Sequence, residues 1–404
     1  MGVKLCYEGL QFEMTGNIVR ANFMGIFYFD IKKSELNKIG AFQIDANDKS
    51  CIEFEASEKS ATSKFSFLIE QGFKNLKSKL TGKKAVYISR ESGIPLIGNI
   101  GFGIVDRNTS VIEVKPITGC NFDCIFCSVD QSKRTTDFVI DKDYLVEEIE
   151  KLIRFKGVKT DIALNCHGDV TLYDDLIPLV RDIRKLDNAG RIYIITNGSL
   201  LNKKMIDNLL DAGLTRFNIS LHSLDNEKAN ILAGKKHNLQ KILDCIEYII
   251  KKCELWITPV WISGFNDKDI EDLIKYVAKL RKKSKYPMQL AIQNFLEYDY
   301  GRKPAKEISF KSFFERLKSL ERKYSIKLIL DWKDIIETKP LPKPFKKGDV
   351  VRAEIKCPGP LPGEMIAVAN DRSIAVQNCR KKSGWINVKI ISDKANIFVA
   401  RPAA

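Results

Sequence analysis

Between about residue 108 and residue 335, short runs rich in β-branched residues alternate with longer runs whose apolar positions recur every three or four residues. The strand-like runs are SVIEVKPIT, TDIALNC, RIYIITN, RFNISLH, LWITPVWIS and MQLAIQNF. The helix-like runs are KDYLVEEIEKLIRF, DDLIPLVRDIRKL, KKMIDNLLDAG, LQKILDCIEYIIKK and DIEDLIKYVAKLRKK. This alternation predicts βαβ units on a parallel sheet, an α/β fold. Six units predict an open, partial (β/α)6 barrel, since a closed barrel needs eight strands. Chemistry is then expected at the C-terminal ends of the strands. The catalytic region is placed at 106–335. Ahead of it, residues 1–105 read as a small α+β accessory domain: ANFMGIFYFDI suggests a strand, KFSFLIEQGFKNLKSKL a helix over 64–80, and SRESGIPLIGNIGFG a connector. Behind it, a Pro/Lys stretch at 336–344 reads as an extended linker. Residues 345–404 break into short strands and predict a small β-barrel.

Composition adds a partner class. The chain has 404 residues, 44% hydrophobic and 29% charged, as in ordinary globular proteins. No run approaches the length of a membrane span, and the first residues lack a long apolar segment with a cleavage site. The expectation is a cytoplasmic protein with no membrane partner. Lys and Arg number 66 against 51 Asp and Glu, a net charge of +15. That excess favours polyanionic partners, nucleic acid first, although solvated lysine-rich helix faces produce the same count. Residues 343–404 hold 12 Lys/Arg and 5 Asp/Glu, a net of +7, with the densest run at Arg380, Lys381 and Lys382 beside Trp385. Ten cysteines in such a chain read as thiols, the scattered ones as buried small hydrophobes.

The sharpest chemical signal is GCNFDCIFCSVD, directly after the first strand of the alternating region, with Cys120, Cys124 and Cys127. A structural zinc site wants a fourth ligand, and none lies close in sequence, although Cys166 and His167 can approach in space. A [4Fe–4S] cluster on three cysteines leaves one iron open for a small molecule.

This C-x3-C-x2-C loop, with Phe126 before its third cysteine, resembles the radical S-adenosylmethionine (SAM) superfamily. The resemblance implies that Cys120, Cys124 and Cys127 hold a [4Fe–4S] cluster whose open iron chelates SAM. An electron from a donor such as ferredoxin or flavodoxin then yields methionine and a 5′-deoxyadenosyl radical, which abstracts a substrate hydrogen. It implies further cofactor contacts. Gly168 and Asp169 stand where the family's Gly-Gly-Glu-like turn meets the cofactor's amino group, with His167 replacing the first glycine. Asp169 also reads as an acid at a helix N-terminus. Thr196, Asn197 and Gly198 match the family's Thr-Asn-Gly turn. Ser220, His222 and Ser223 lie where the ribose or carboxylate is contacted, some of them as caps of the next helix. Gly264 fits a close approach on the adenine side, with Asn266 or Asp267 capping the helix behind it. Gln293 and Asn294 suggest substrate contact, and Tyr298, Tyr300, Arg302 and Lys303 either meet nucleotides or form a solvated loop.

The C-terminal region resembles the TRAM domain, a small RNA-binding β-barrel, through Lys-Gly-Asp-x-Val at its start and its strand rhythm. Together the resemblances imply a radical SAM enzyme of archaeal type. It would modify RNA, foremost a tRNA nucleoside, by methylation or other C–H functionalisation, with Arg380, Lys381 and Lys382 on the RNA. Two other readings stand beside it: a maturase acting on a peptide or protein side chain, and a zinc-stabilised, non-catalytic RNA-binding protein. Only Cys6 and Cys51 lie in the N-terminal region, which disfavours a second-cluster methylthiotransferase. Cys166 and Cys357 are candidates for a two-cysteine methyl transfer, or inert core.

Overall fold

The structure, a computed structural model, describes residues 2–403. Its centre is an open seven-stranded sheet. The parallel strands are Val111–Lys115, Thr160–Leu164, Ala189–Thr196, Arg216–Ile219, Glu254–Ile257 and Met288–Leu290. Neighbours pair in chain order, as the six-unit reading expects. These segments are apolar because both faces are covered; Ile162, Leu164, Phe217, Ile219, Leu255 and Ile257 are all buried. Side-chain caps start most covering helices. Asp141 accepts from Tyr144 N, Asn202 from Met205 N, Asp225 from Lys228 N and Asn238 from Lys241 N.

The last two parallel strands break and resume as Val260–Trp261 and Gln293–Asn294, which pair with each other. The break carries the sheet's C-terminal edge past the site. Two helices of the catalytic region were not anticipated: Asn226–Ala233 and Phe310–Tyr324.

The N-terminal region is not a free-standing unit. Its six-stranded sheet takes its edge strand, Thr136–Ile140, from beyond the cysteine loop, parallel to Lys84–Ile88. In return Gly103–Asp106 becomes the antiparallel edge of the central sheet. The expected boundary at 105 falls inside that strand, and one continuous apolar core spans both regions. The helix expected over 64–80 runs instead from Glu58 to Lys74, and Lys77–Ser78 turns into a strand. The helix closes against the sheet where Phe29 lies on Gly72; a Cβ there would stand 2.2 Å from the ring.

The all-thiol reading of the cysteines fails at one pair. Cys6 and Cys51 sit directly opposite on antiparallel strands and form a disulfide. Sequence spacing gives no hint of that register, since 45 residues separate them.

The C-terminal region forms a closed five-stranded barrel from Val350–Pro358, Met365–Ala369, Arg372–Val376, Gly384–Ser392 and Val399–Pro402. It has its own core of Ala353, Ile374, Val376, Val388, Phe398 and Ala400. It also docks on the catalytic region: Ser373 N donates to Ile97 O (3.0 Å), Phe398 N to Gly98 O (2.9 Å) and Thr135 N to Pro360 O (2.9 Å). The chain before it is strapped down. Thr338 N donates to Asn108 O, and the buried Lys156 ammonium holds Thr338 Oγ1 (2.7 Å) together with Asp106 (2.7 Å).

Candidate active site

Cys120, Cys124 and Cys127 lie on the loop that leaves the first parallel strand and line a cavity of about 320 Å³ at the C-terminal end of the sheet. Four attachments shape the loop. Asp123 N and Ile125 N donate to Ala233 O and Leu232 O at the end of Asn226–Ala233 (3.0 and 3.1 Å). Arg302 donates to Asp123 O (2.8 Å) and pairs with Asp123 (2.6 Å) and Asp130 (3.3 Å). Asn121 bridges to Ser199 Oγ (2.8 Å) and Asn197 (2.9 Å). The buried Arg134 joins Thr118 O (2.9 Å) to His167 O (2.7 Å) and pairs with Asp137 (3.2 Å). Arg302 therefore fastens the loop and is not a free nucleotide contact. Arg134 carries no motif signal and was missed.

The donor set fits a cluster better than a single ion. A tetrahedral zinc draws its ligands to within about 4 Å of one another. Among the described residues, the three loop cysteines are not gathered within 4.8 Å of one another. A [4Fe–4S] cluster places each thiolate on a separate iron and needs the wider spacing. Burial pushes the Cys120 thiol up to about 12, with Asp169 adding to it, and also raises Cys124 and Cys127. Thiolates in this setting need a cationic partner such as iron.

Around the cavity the sequence-derived residues divide. Gly168 is required by close approach: a Cβ would lie 1.9 Å from Gly119 O, in the run leading into Cys120. Asp169 is buried, and its carboxylate is fully engaged. It accepts from Thr171 N (3.0 Å), Thr196 Oγ1 (2.9 Å) and Asn197 N (2.7 Å), and also from Thr171 Oγ1. It caps a short 3-10 turn and ties the second strand's end to the third's. That leaves its oxygens little capacity for a cofactor ammonium. Asn197 is likewise committed, to Asn121 and Ser199. Ser220 lines the cavity, whereas Ser223 is buried on Asp269 and Asp225 N.

His222 lines the cavity edge-on to Phe126, ring centroids 4.6 Å apart. Its Nδ1 accepts from Val260 N (3.1 Å). Burial, with His237 nearby, pushes its pKa down to about 3. The ring is neutral, and with Nδ1 accepting, its proton sits on Nε2. His167 is held neutral by burial and by Lys115 and Arg134. Gly264 does not reach the cavity: it is exposed, with nothing within 4 Å of a Cβ. Asn266 stands at the N-cap of the helix behind it, but its side chain and that of Asp267 bind the preceding loop, at Ile262 N (2.8 Å) and Gly264 N (2.6 Å). Gln293 and Asn294 line the cavity, though Asn294 is tied to Ile308 O. Cys166 stands on the wall; Cys357, on the first barrel strand, is buried in the core of the N-terminal and catalytic regions and lines neither cavity described here.

A second cavity of about 490 Å³ lies between the sheet and the barrel and shares Asn165, Cys166, His167 and Tyr298 with the first. Its barrel wall includes Glu364 and Gln377. Arg380, Lys381 and Lys382 are exposed on the turn between Arg372–Val376 and Gly384–Ser392. Lys381 Nζ donates to Trp385 O (2.6 Å), and Arg352 stands 5.1 Å over the exposed Trp385 ring.

The chain is similar to known proteins. The Radical SAM superfamily model matches residues 114–277, from the end of the first strand into the helix Asp267–Arg281. An uncharacterized protein of Methanocaldococcus jannaschii is 36% identical over 359 residues, 81% of this chain and 82% of that protein. A probable GTP 3′,8-cyclase of Thermococcus kodakarensis is 29% identical over 236 residues, 56% of this chain and 69% of its own. Streptococcus suis SuiB bound to the precursor peptide SuiA is 13% identical, with a TM-score of 0.42 over 81% of this chain and 72% of that one. No helix among the described residues is long and apolar enough to cross a membrane. With the cysteine loop, the open parallel sheet and the matched segment in agreement, the chain carries a radical SAM domain, of the superfamily whose enzymes use a [4Fe–4S] cluster, S-adenosylmethionine and a reductant.

Proposed function

We propose that this radical SAM enzyme modifies RNA, foremost a tRNA nucleoside, by methylation or other C–H functionalisation, with the C-terminal barrel as a TRAM-like RNA-binding module of archaeal type. The observation that carries the reading is where the basic turn lies. Cys379 N donates to Gly363 O (2.8 Å), and Gln377 Nε2 to Tyr300 OH (3.3 Å). Arg380, Lys381, Lys382 and Trp385 therefore border the segment that walls the second cavity, which shares lining residues with the cluster cavity. Phosphates on the turn, a base stacked outside and a flipped base inside are what RNA recognition asks of such a surface.

When bound, the cluster and S-adenosylmethionine supply the carbon radical that takes a substrate hydrogen atom. The chain's own residues set the conditions. Cys120, Cys124 and Cys127 would hold three irons. Arg134 and Asp169 fix the cysteine loop and strand ends before any ligand arrives. Ile195, Leu221 and Ile242 give the cavity apolar walls, which keep a radical from water. Neutral His222 presents an N–H donor without adding a charge.

A free purine nucleotide is the second reading, favoured by the relative whose name is GTP 3′,8-cyclase. The experiment uses anaerobically reconstituted protein with dithionite in place of ferredoxin or flavodoxin, S-adenosylmethionine, and bulk tRNA from cells lacking the gene. 5′-Deoxyadenosine is followed and the digested tRNA is analysed by nucleoside mass spectrometry. A new nucleoside mass is the expected result. Cofactor cleavage stimulated by GTP with unchanged tRNA moves the substrate to a free nucleotide. Cleavage that responds to neither moves it to a peptide.

A further inference from the structure

The cavity between sheet and barrel holds a carboxyl group that no contact above uses. Glu364 is 8% exposed, lines this cavity, and its side chain has no hydrogen-bond partner among the described residues. The barrel is shaped around it. Gly359 N donates to Glu364 O (2.8 Å), and a Cβ on Gly359 would lie 2.7 Å from Glu364 Cγ. Apart from the exposed Asp299, the other charged groups on the cavity wall have partners. Lys115 donates to Asn165 O (3.0 Å) and pairs with Glu113 (3.0 Å), Arg107 also pairs with Glu113 (2.8 Å), and Arg134 is held by Thr118, His167 and Asp137. A buried carboxyl without partners is costly, and burial alone pushes this one up to about 7. Such a cost is relieved when a ligand brings hydrogen-bond donors.

We propose that Glu364 reads the substrate base, its carboxylate accepting two hydrogen bonds from adjacent N–H groups, as on the Watson–Crick edge of guanine. The proposal rests on the nucleotide reading above. An ionised carboxylate only accepts. Guanine alone among the four RNA bases sets a ring N–H next to an amino group; adenine and cytosine set a donor beside an acceptor, and uracil flanks its donor with acceptors. Tyr298, half-exposed on the wall shared by both cavities, is placed to stack on the same base.

The test titrates the anaerobically reconstituted full chain, with S-adenosylmethionine present, against 5′-GMP, AMP, CMP and UMP. Wild type is expected to bind GMP most tightly. Glu364→Gln keeps size but offers one donor and one acceptor, the pattern that suits adenine. Its GMP affinity should fall on the order of ten- to a hundred-fold while AMP binding strengthens. Glu364→Asp keeps both acceptors and should retain the GMP preference at reduced affinity, which separates recognition from damage to the fold. No preference for GMP in wild type, or equal losses for all four nucleotides in Glu364→Gln, overturns the proposal. In either case a new tRNA nucleoside or GTP-stimulated cofactor cleavage in the assay above leaves the nucleotide reading standing, and the absence of both there removes it together with the proposal.

Discussion

The two cavities share a wall, yet their carboxyl groups differ. In the cluster cavity the groups at the strand ends have partners inside the protein, Asp169 with Thr171, Thr196 and Asn197, and Asn197 with Asn121 and Ser199, while Thr258 Oγ1 and Asn294 Oδ1 are buried without one. Across the wall, Glu364 stands buried and unpartnered. Saturated networks are rigid, and a group held by several bonds cannot swing to meet different ligands. An unsatisfied carboxyl is a standing cost that a specific ligand relieves. On the proposal above, Asp169 serves the frame of the first cavity and Glu364 a ligand in the second.

That contrast can be broken at either side. The largest effect is expected from Cys124→Ala. It should abolish iron–sulfur absorbance and cofactor cleavage while leaving RNA affinity unchanged, because the barrel surface is untouched. A variant that still cleaves S-adenosylmethionine removes the cluster assignment. Next comes Glu364→Gln, read as stability. The folded carboxyl titrates near 7 against an ordinary 4.5, so the unfolded chain ionises first as pH rises. Wild-type stability should therefore fall from about pH 4.5 and level off above about pH 7, by about 3 kcal/mol. The glutamine variant lacks this loss. It should match wild type near pH 4 and exceed it near pH 8 in urea unfolding of the apoprotein; a gap independent of pH contradicts the burial of this group. The smallest effect belongs to Lys381→Glu with Lys382→Glu. RNA binding should weaken about ten-fold, and the slope of log affinity against log salt should flatten by about 1–2. Unchanged RNA affinity and slope would sink the TRAM-like reading.

Much of the first cavity was readable because local rules produce it. The alternation of β-branched and amphipathic runs reflects strands buried on both faces beneath helices, and it located all six parallel strands. Cys120, Cys124 and Cys127 sit within eight residues, so any fold placing that loop at a strand end gathers them. Gly168 was legible as a place of close approach, and the backbone meets Gly119 there. The roles of Asp169 and Asn197 were less so. Whether an acid at a strand end meets a ligand or a neighbouring strand depends on which hydroxyls and amides the neighbour presents. Gly264 matched a motif, yet its turn faces solvent.

What the sequence by itself determined is the part fixed by short-range periodicity and spacing: the parallel α/β sheet, the metal-binding loop, and a small basic barrel at the end of the chain. The tertiary structure decided what is assembled from distant segments: the strand exchange of Gly103–Asp106 and Thr136–Ile140, the Cys6–Cys51 pair, the Arg134 and Arg302 clamps, and the Glu364 wall. Each depends on how two surfaces dock, and docking is settled by the sum of many weak contacts along the whole chain rather than by any local pattern.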